Sequence, residues 1–199
     1  VAEACEHLGL RHAVITSVNR DDLKDGGATH FAAVIRAIRE RIPGCRVEVL
    51  VPDFQGSREA MRTVMDAEPD VLNHNIETVP RLYREVRFGA RYERSLEMLE
   101  YAAALRPDIP TKSGLMAGLG ETDEEVLAVL ADLRRHKVRI VTIGQYLRPT
   151  LQHLPVLRYV TPGQFEEYRR AALALGFEHV ESGPFVRSSY HAADAVAKG

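Results

Sequence analysis

His12-Ala13-Val14-Ile15-Thr16-Ser17-Val18, running into Asn19-Arg20-Asp21-Asp22-Leu23-Lys24-Asp25-Gly26-Gly27, is the stretch on which the fold turns. The first seven residues are β-branched and nearly all apolar at their centre, the composition of a buried strand. The polar loop then leads into residues 28–41, where Phe31, Val34, Ile35 and Ile38 recur on one face of a helix. Pro43-Gly44 ends that helix, and Arg46-Val47-Glu48-Val49-Leu50-Val51 makes a second strand stopped by Pro52. Strand, helix and strand in that order form a parallel unit with a right-handed crossover.

The same alternation extends outward. Upstream, residues 1–10 read as the end of a helix closed by Gly9, so the chain is expected to be a piece that starts inside a helix. Downstream, Ser57 caps a helix reaching about residue 67, and Val71-Leu72-Asn73-His74-Asn75-Ile76 makes a third strand. Helical stretches follow at 79–86 and 92–105, and a fourth strand at 111–119. Thr122 caps a helix over 123–136, with Glu125 placed for a capping box. Ile140-Val141-Thr142-Ile143-Gly144 is a fifth strand, Thr161-Pro162 opens a last helix closed by Gly176, and 178–181 adds a candidate short edge strand. The pattern allows an open doubly wound sheet or a whole or partial barrel. No G-x-G-x-x-G follows the first strand, and polar residues gather at the carboxyl ends of several strands, which favours the barrel.

Composition narrows the function classes. The 26 basic and 28 acidic residues leave a net charge of −2, so there is no electrostatic footprint for nucleic acid or an anionic membrane. No apolar run approaches the roughly 20 residues of a membrane span. A cytoplasmic, soluble, single-domain protein is the expectation. Cys5 and Cys45, the two cysteines, lie far apart without metal-like spacing and read as small buried hydrophobes.

The strand ends hold the candidate site. Thr16, Ser17 and Asn19 close the first strand; Asn73, His74, Asn75 and Glu77 load the third; Lys112 and Ser113 sit within the fourth; Gln145 and Tyr146 end the fifth. Alternation puts Asn73, Asn75 and Glu77 on one face, His74 and Ile76 on the other. Amides and a carboxylate facing inward cost several kcal/mol unless satisfied, which favours a ligand site for this strand. His74 alone reads as a hydrogen-bonded core histidine. Residues 112–122, Lys112-Ser113-Gly114-Leu115-Met116-Ala117-Gly118-Leu119-Gly120-Glu121-Thr122, form a strand entering a glycine-rich turn that is not a P-loop. Near the end, Arg187-Ser188-Ser189-Tyr190-His191 could bind an anion or pack back on the barrel.

Taken together, these segments resemble lipoyl synthase, over nearly the whole chain. The collinear matches are Thr16-Ser17-Val18-Asn19-Arg20-Asp21-Asp22-Leu23, Val49-Leu50-Val51-Pro52-Asp53-Phe54, Asn73-His74-Asn75-Ile76-Glu77-Thr78, the 112–122 segment, Thr142-Ile143-Gly144-Gln145-Tyr146-Leu147-Arg148-Pro149 and Arg187-Ser188-Ser189-Tyr190. The resemblance implies a partial (β/α)6 TIM-like barrel of the radical S-adenosylmethionine type, with the chain's five strands as its second to sixth. A tail for the auxiliary cluster would span about 182–199. It implies two [4Fe–4S] clusters and S-adenosylmethionine as cofactors. The implied reaction is sulfur insertion at C6 and C8 of a protein-bound octanoyl-lysine. The implied partners are an octanoylated lipoyl carrier protein or lipoyl domain, and an electron donor such as ferredoxin or flavodoxin.

Carried over residue by residue, the resemblance assigns Thr16, Ser17 and Asn19 to the amino-acid part of S-adenosylmethionine. Asn73, Asn75 and Glu77 fall to its ribose, and Lys112, Ser113 and the backbone after Met116 to the adenine and methionine side, with Gln145 also counted as cofactor-binding. Ser188 or Ser189, beside Arg187, matches the serine that ligates the auxiliary cluster. The family's cysteine sets precede the region matched here, so the first strand and the cluster segment are expected to be missing and this chain to assemble neither cluster by itself. Two other classes remain open at this point. One is an iron-free aldolase- or isomerase-type barrel with Lys112 as a Schiff-base lysine; the other is a non-catalytic module that only docks the carrier protein.

Overall fold

A computed structural model describes residues 1–190 and 192–193. Its centre is one parallel sheet of six strands among the described residues: β1 (His12–Thr16), β2 (Arg46–Leu50), β3 (Val71–Asn73), β4 (Thr111–Ala117), β5 (Ile140–Gln145) and β6 (His179–Gly183). Their spatial order is the sequence order, β1 to β6, and every neighbouring pair is parallel. Sequential order with a helix between each pair of consecutive strands is the arrangement of a barrel wall rather than of a doubly wound sheet, whose order reverses at a switch point. The outer edges of β1 and β6 do not pair with each other, so the barrel is partial.

The helices are α1 (Ala2–His7), α2 (Ala28–Arg41), α3 (Arg58–Met65), α4 (Tyr83–Val86), α5 (Tyr92–Leu105), α6 (Asp123–Arg135) and α7 (Pro162–Ala174). Their starts follow the caps read in the sequence. Ser57 Oγ accepts the Ala60 N–H, Thr161 Oγ1 accepts the Gln164 N–H, and Thr122 with Glu125 forms a reciprocal capping box. Two apolar clusters lie between sheet and helices. One gathers Phe31, Ile35, Val47, Val49, Met61 and Met65 around α2 and α3; the other gathers Val126, Leu130, Val141, Ile143, Phe165 and Tyr168 around α6 and α7.

Several element boundaries depart from the sequence reading: β1 stops at Thr16 rather than Val18 and β4 at Ala117 rather than Leu119, and two further departures bear on the site. The third strand was expected to reach Ile76, but β3 stops at Asn73. The Ile76 and Glu77 N–H groups both point to Gly114 O, and Glu77, at φ +67°, bridges to Leu115. The chain thus loops out between two contacts with β4, which aims Asn75 away from the ladder. The candidate edge strand at 178–181 is a full sixth strand, with a five-residue register from Ile140↔His179 to Gly144↔Gly183. Its Ser182 Oγ donates to Phe165 O at 2.7 Å, tying it to α7.

Candidate active site

The carboxyl-terminal parts of β4 and β5, the segment that follows β6 and the looped-out residues after β3 surround a cavity of about 210 Å³. Asn75, Glu77, Thr142 and Gln145 supply its polar wall, Met116, Leu147 and Val186 part of its apolar wall, and Arg187 and Ser188 its tail side. Gly114 forms the floor between them. A Cβ there would sit 2.6 Å from Thr142 Oγ1 and 3.0 Å from Asn75 Oδ1, so only glycine leaves the space open.

Asn75 Nδ2 donates to Glu77 Oε1 at 3.1 Å, while Asn75 Oδ1 is buried without a partner. Arg87 Nη1 donates to Asn75 O at 3.0 Å and to Tyr83 Oη at 3.2 Å, so the residue just after α4 fixes the backbone of the loop. Burial pushes the Glu77 carboxyl above its ordinary range, only partly opposed by Asn75 and by the Arg87 charge. An unfilled acceptor beside a buried carboxyl is a receptor for hydroxyl or ammonium donors.

The structure divides the residues singled out in the sequence. Asn75, Glu77, Gln145, Arg187 and Ser188 meet in this cavity. Asn73 and Lys112 lie in a buried layer outside it: Lys112 Nζ donates to Glu48 Oε1 at 2.9 Å and Oε2 at 3.1 Å, and Asn73 Nδ2 donates to Glu48 Oε1 at 3.0 Å. His12 Nε2 stands 3.9 Å from Glu48 Oε2, too far for a hydrogen bond. Enclosed and paired in this way, Lys112 has no access for a carbonyl substrate. Ser113 turns elsewhere, accepting the Ile76 N–H at 3.2 Å. The Gln145 amide is fully used within the protein: Nε2 donates to Tyr146 O and Arg158 O, both at 3.0 Å, and Oε1 accepts the Val160 N–H at 2.9 Å.

Thr16 and Ser17 sit at the exposed end of β1, with Ser17 Oγ donating to Val18 O at 2.9 Å. Asn19 lines a different, polar cleft of about 500 Å³ with Asp21, Asp53, Gln55, Arg87 and Arg94. Ser189 is exposed, and His191 lies outside the described residues. His74 is a core histidine, as expected, with Nδ1 2.8 Å from Val51 O and Nε2 3.0 Å from Ser95 Oγ. Three contributors were missed. Glu48 carried a readable signal, a carboxylate in the middle of an apolar strand; Thr142 lay inside a quoted motif but was not singled out; Arg87 had no signal at all.

The family model described as "Radical SAM superfamily" matches residues 1–133, two thirds of the chain. The chain belongs to the radical SAM superfamily. Several curated lipoyl synthases are similar to it. That of Rubrobacter xylanophilus is 64% identical over 192 residues, covering 96% of this chain and 60% of that protein. The one from Roseiflexus sp. is 60% identical, covering 96% and 64%, and the one from Proteus mirabilis 57%, covering 100% and 62%. The chain therefore spans about 60% of the length of these relatives. Among solved structures, methylornithine synthase superposes with a TM-score of 0.69 at 17% identity, over 90% of this chain and 53% of that one. A domain of pyruvate-formate lyase-activating enzyme from Bacteroides vulgatus gives 0.59 at 12% identity, over 85% and 98%. These two likenesses show the fold.

Membership of the radical SAM superfamily implies S-adenosylmethionine and a [4Fe–4S] cluster. The cavity suits the first: Asn75 Oδ1 is an open acceptor, Glu77 a buried carboxyl, and Gly114 a floor without a side chain. The second finds no donor set among the described residues. No group of three or more His, Cys, Asp or Glu is placed to hold a metal, and Cys5 and Cys45 are buried in the apolar cluster around α2. Burial raises the Cys45 thiol pKa, which disfavours the thiolate that iron requires. No helix among the described residues is long and apolar enough to cross a membrane.

Proposed function

We propose that this chain is the barrel of a lipoyl synthase, the enzyme that inserts sulfur at C6 and C8 of a protein-bound octanoyl-lysine, working in the cytoplasm. The observation that carries the reading is the 57–64% identity to lipoyl synthases along 96–100% of the chain. The cavity supports it by bringing the Asn75–Glu77 pair and the Arg187-Ser188 tail to one space.

Hydrogen abstraction and sulfur donation are the chemistry that S-adenosylmethionine and two [4Fe–4S] clusters supply when bound. The chain's own residues bind and orient. Asn75 Oδ1 accepts from a ribose hydroxyl, and Glu77, held by Asn75 and turned inward by its positive φ, accepts a second. Gly114 lets the nucleoside approach the strand backbone. Met116, Leu147 and Val186 exclude water beside the acyl chain. Of the two tail serines, Ser188 borders the cavity while Ser189 is exposed, so Ser188 is the oxygen ligand we assign to the auxiliary-cluster iron. The partners are an octanoylated carrier protein or lipoyl domain and a ferredoxin- or flavodoxin-type donor.

The test is turnover by the cluster-loaded enzyme carrying this barrel, given reductant and S-adenosylmethionine. An octanoyl-lysyl substrate should gain two sulfurs, as the dithiol with no net loss of hydrogen under reductant or as the cyclic disulfide two hydrogens lighter after oxidation, read by mass spectrometry. Glu77→Gln and Asn75→Ala should each weaken S-adenosylmethionine about tenfold or more, or about 1.4 kcal/mol. Normal cofactor cleavage with no sulfur in the product would sink the assignment.

A further inference from the structure

Large apolar side chains stand in solvent on the loops that follow β5 and β6. Leu151 is 85% exposed, Phe185 84%, Tyr159 73% and Leu157 64%. They come from two short segments, residues 147–159 and the turn after β6, and both segments border the cavity through Leu147 and Val186. Scattered exposed hydrophobics are ordinary; here they are concentrated on the two segments that border one opening, which marks those segments as a binding surface.

The longer segment is framed rather than loose. Gln145 clasps both of its ends through Tyr146 O, Arg158 O and the Val160 N–H. Tyr146 Oη donates to Leu154 O at 2.9 Å, and Arg148 donates to His153 O at 2.8 Å and to Leu151 O. Apolar groups held outward by an ordered frame lose little further freedom on binding. Charge sets the partner's character. Arg148 and Arg187 donate only to backbone carbonyls and meet no carboxylate among the described residues. Guanidiniums beside Leu151 and Phe185 with no carboxylate partner among the described residues suit an acidic surface.

We propose that the collar formed by Leu151, Leu157, Tyr159, Phe185 and Arg148 is the docking face for an acidic surface of the carrier protein around its acylated lysine. This rests on the lipoyl synthase reading and names the partner surface of the same site. A lysine-bound acyl chain must enter the cavity while its carrier stays outside, so the carrier rests on the rim.

The cluster-loaded enzyme is to be titrated with octanoylated carrier protein and, separately, assayed on a short octanoyl-lysyl peptide. Leu151→Asp and Phe185→Asp, alone and combined, should weaken carrier binding about tenfold or more, about 1.4 kcal/mol, and leave peptide turnover unchanged. Unchanged carrier binding, or equal losses on carrier and peptide, overturns the docking face while the reaction stands. Carrier binding that is lost in the variants, from a wild type that sulfurates neither substrate, supports the face and removes the lipoyl synthase reading. Binding to phosphatidylglycerol vesicles, or self-association in light scattering, that vanishes in these variants without loss of carrier binding overturns the proposal in favour of a membrane or a second copy.

Discussion

Lys112 on β4 and Glu48 on β2 face each other across β3, both buried, with Asn73 of β3 as a third partner. Burial alone would raise the Glu48 pKa, but His12, Lys112 and Asn73 together outweigh it and hold the carboxyl below its ordinary range. A carboxylate with a depressed folded pKa adds stability that is present above its unfolded pKa and lost as pH falls through the folded value. Lys112→Met removes the cation and leaves a buried, uncompensated charge, so a loss of about 3–5 kcal/mol is expected at neutral pH. The pH dependence should also change: with Lys112 gone only His12 and Asn73 still oppose burial, so the Glu48 carboxyl rises relative to the parent protein and the stability lost on acidification shrinks. Urea unfolding across the acidic and neutral range checks both, and Glu48→Gln added to Lys112→Met should recover much of the loss. Alternation put Asn73, Asn75 and Glu77 on one face of a strand, but the strand ends at Asn73, so Asn75 and Glu77 reach the cavity through the loop after it, and alternation in any case gives a face and not a height along the barrel. That is why Lys112, quoted as a cofactor contact, proves to be a member of the buried layer outside the cavity.

At the scale of elements, helices were legible and strand ends were not. Thr122 and Glu125 encode a helix start in four residues because a capping box is local chemistry. The end of β3 depends on Gly114 O receiving two N–H groups, a contact with residues almost forty positions away. The junction between β4 and α6 is similarly non-local. Gly118 stands at φ +109°, and a Cβ there would collide with Gln145 Nε2 and Arg158 O. Its N–H and that of Leu119 donate to Glu121 at 2.6 and 2.9 Å. Gly118→Ala must therefore strain the backbone and push the Gln145 amide off its three partners. We expect a loss above about 2 kcal/mol, since each unmet buried hydrogen-bonding group costs about 1–3 kcal/mol. Thr122→Ala on the same turn should cost only about 1 kcal/mol, the ordinary value of a cap. Thermal unfolding of the two variants measures the difference; similar shifts would mean that the clasp carries little of the turn.

The whole molecule is a partial barrel with two apolar clusters, and the cavity belongs to the half that contains α6 and α7. The repeated strand–helix pattern leaves a doubly wound sheet and a barrel both open; the missing G-x-G-x-x-G and the polar strand ends favour the barrel, and the sequential strand order establishes it. The relation of the β1 rim to the cavity was not readable in the sequence, because the distance between strand ends depends on how far the wall curves. Thr16, Ser17 and Asn19 were grouped with Asn75 and Glu77, yet they stand on the other half, where Asn19 faces its own polar cleft. The same division isolates the cysteines. Cys5 on α1 and Cys45 just before β2 pack against the α2 side, buried among apolar residues and away from the cavity lining. A [4Fe–4S] cluster needs several thiolates at one point, and two thiols buried in a core do not make that point. Incubating this 199-residue chain with iron, sulfide and reductant should therefore leave desalted protein with far less than one cluster per chain and no cluster absorbance. Replacing both cysteines by alanine should lower stability by about 1 kcal/mol per site without changing the iron content. Stoichiometric iron that disappears in the double variant would show that the core opens and that the two thiols are ligands after all.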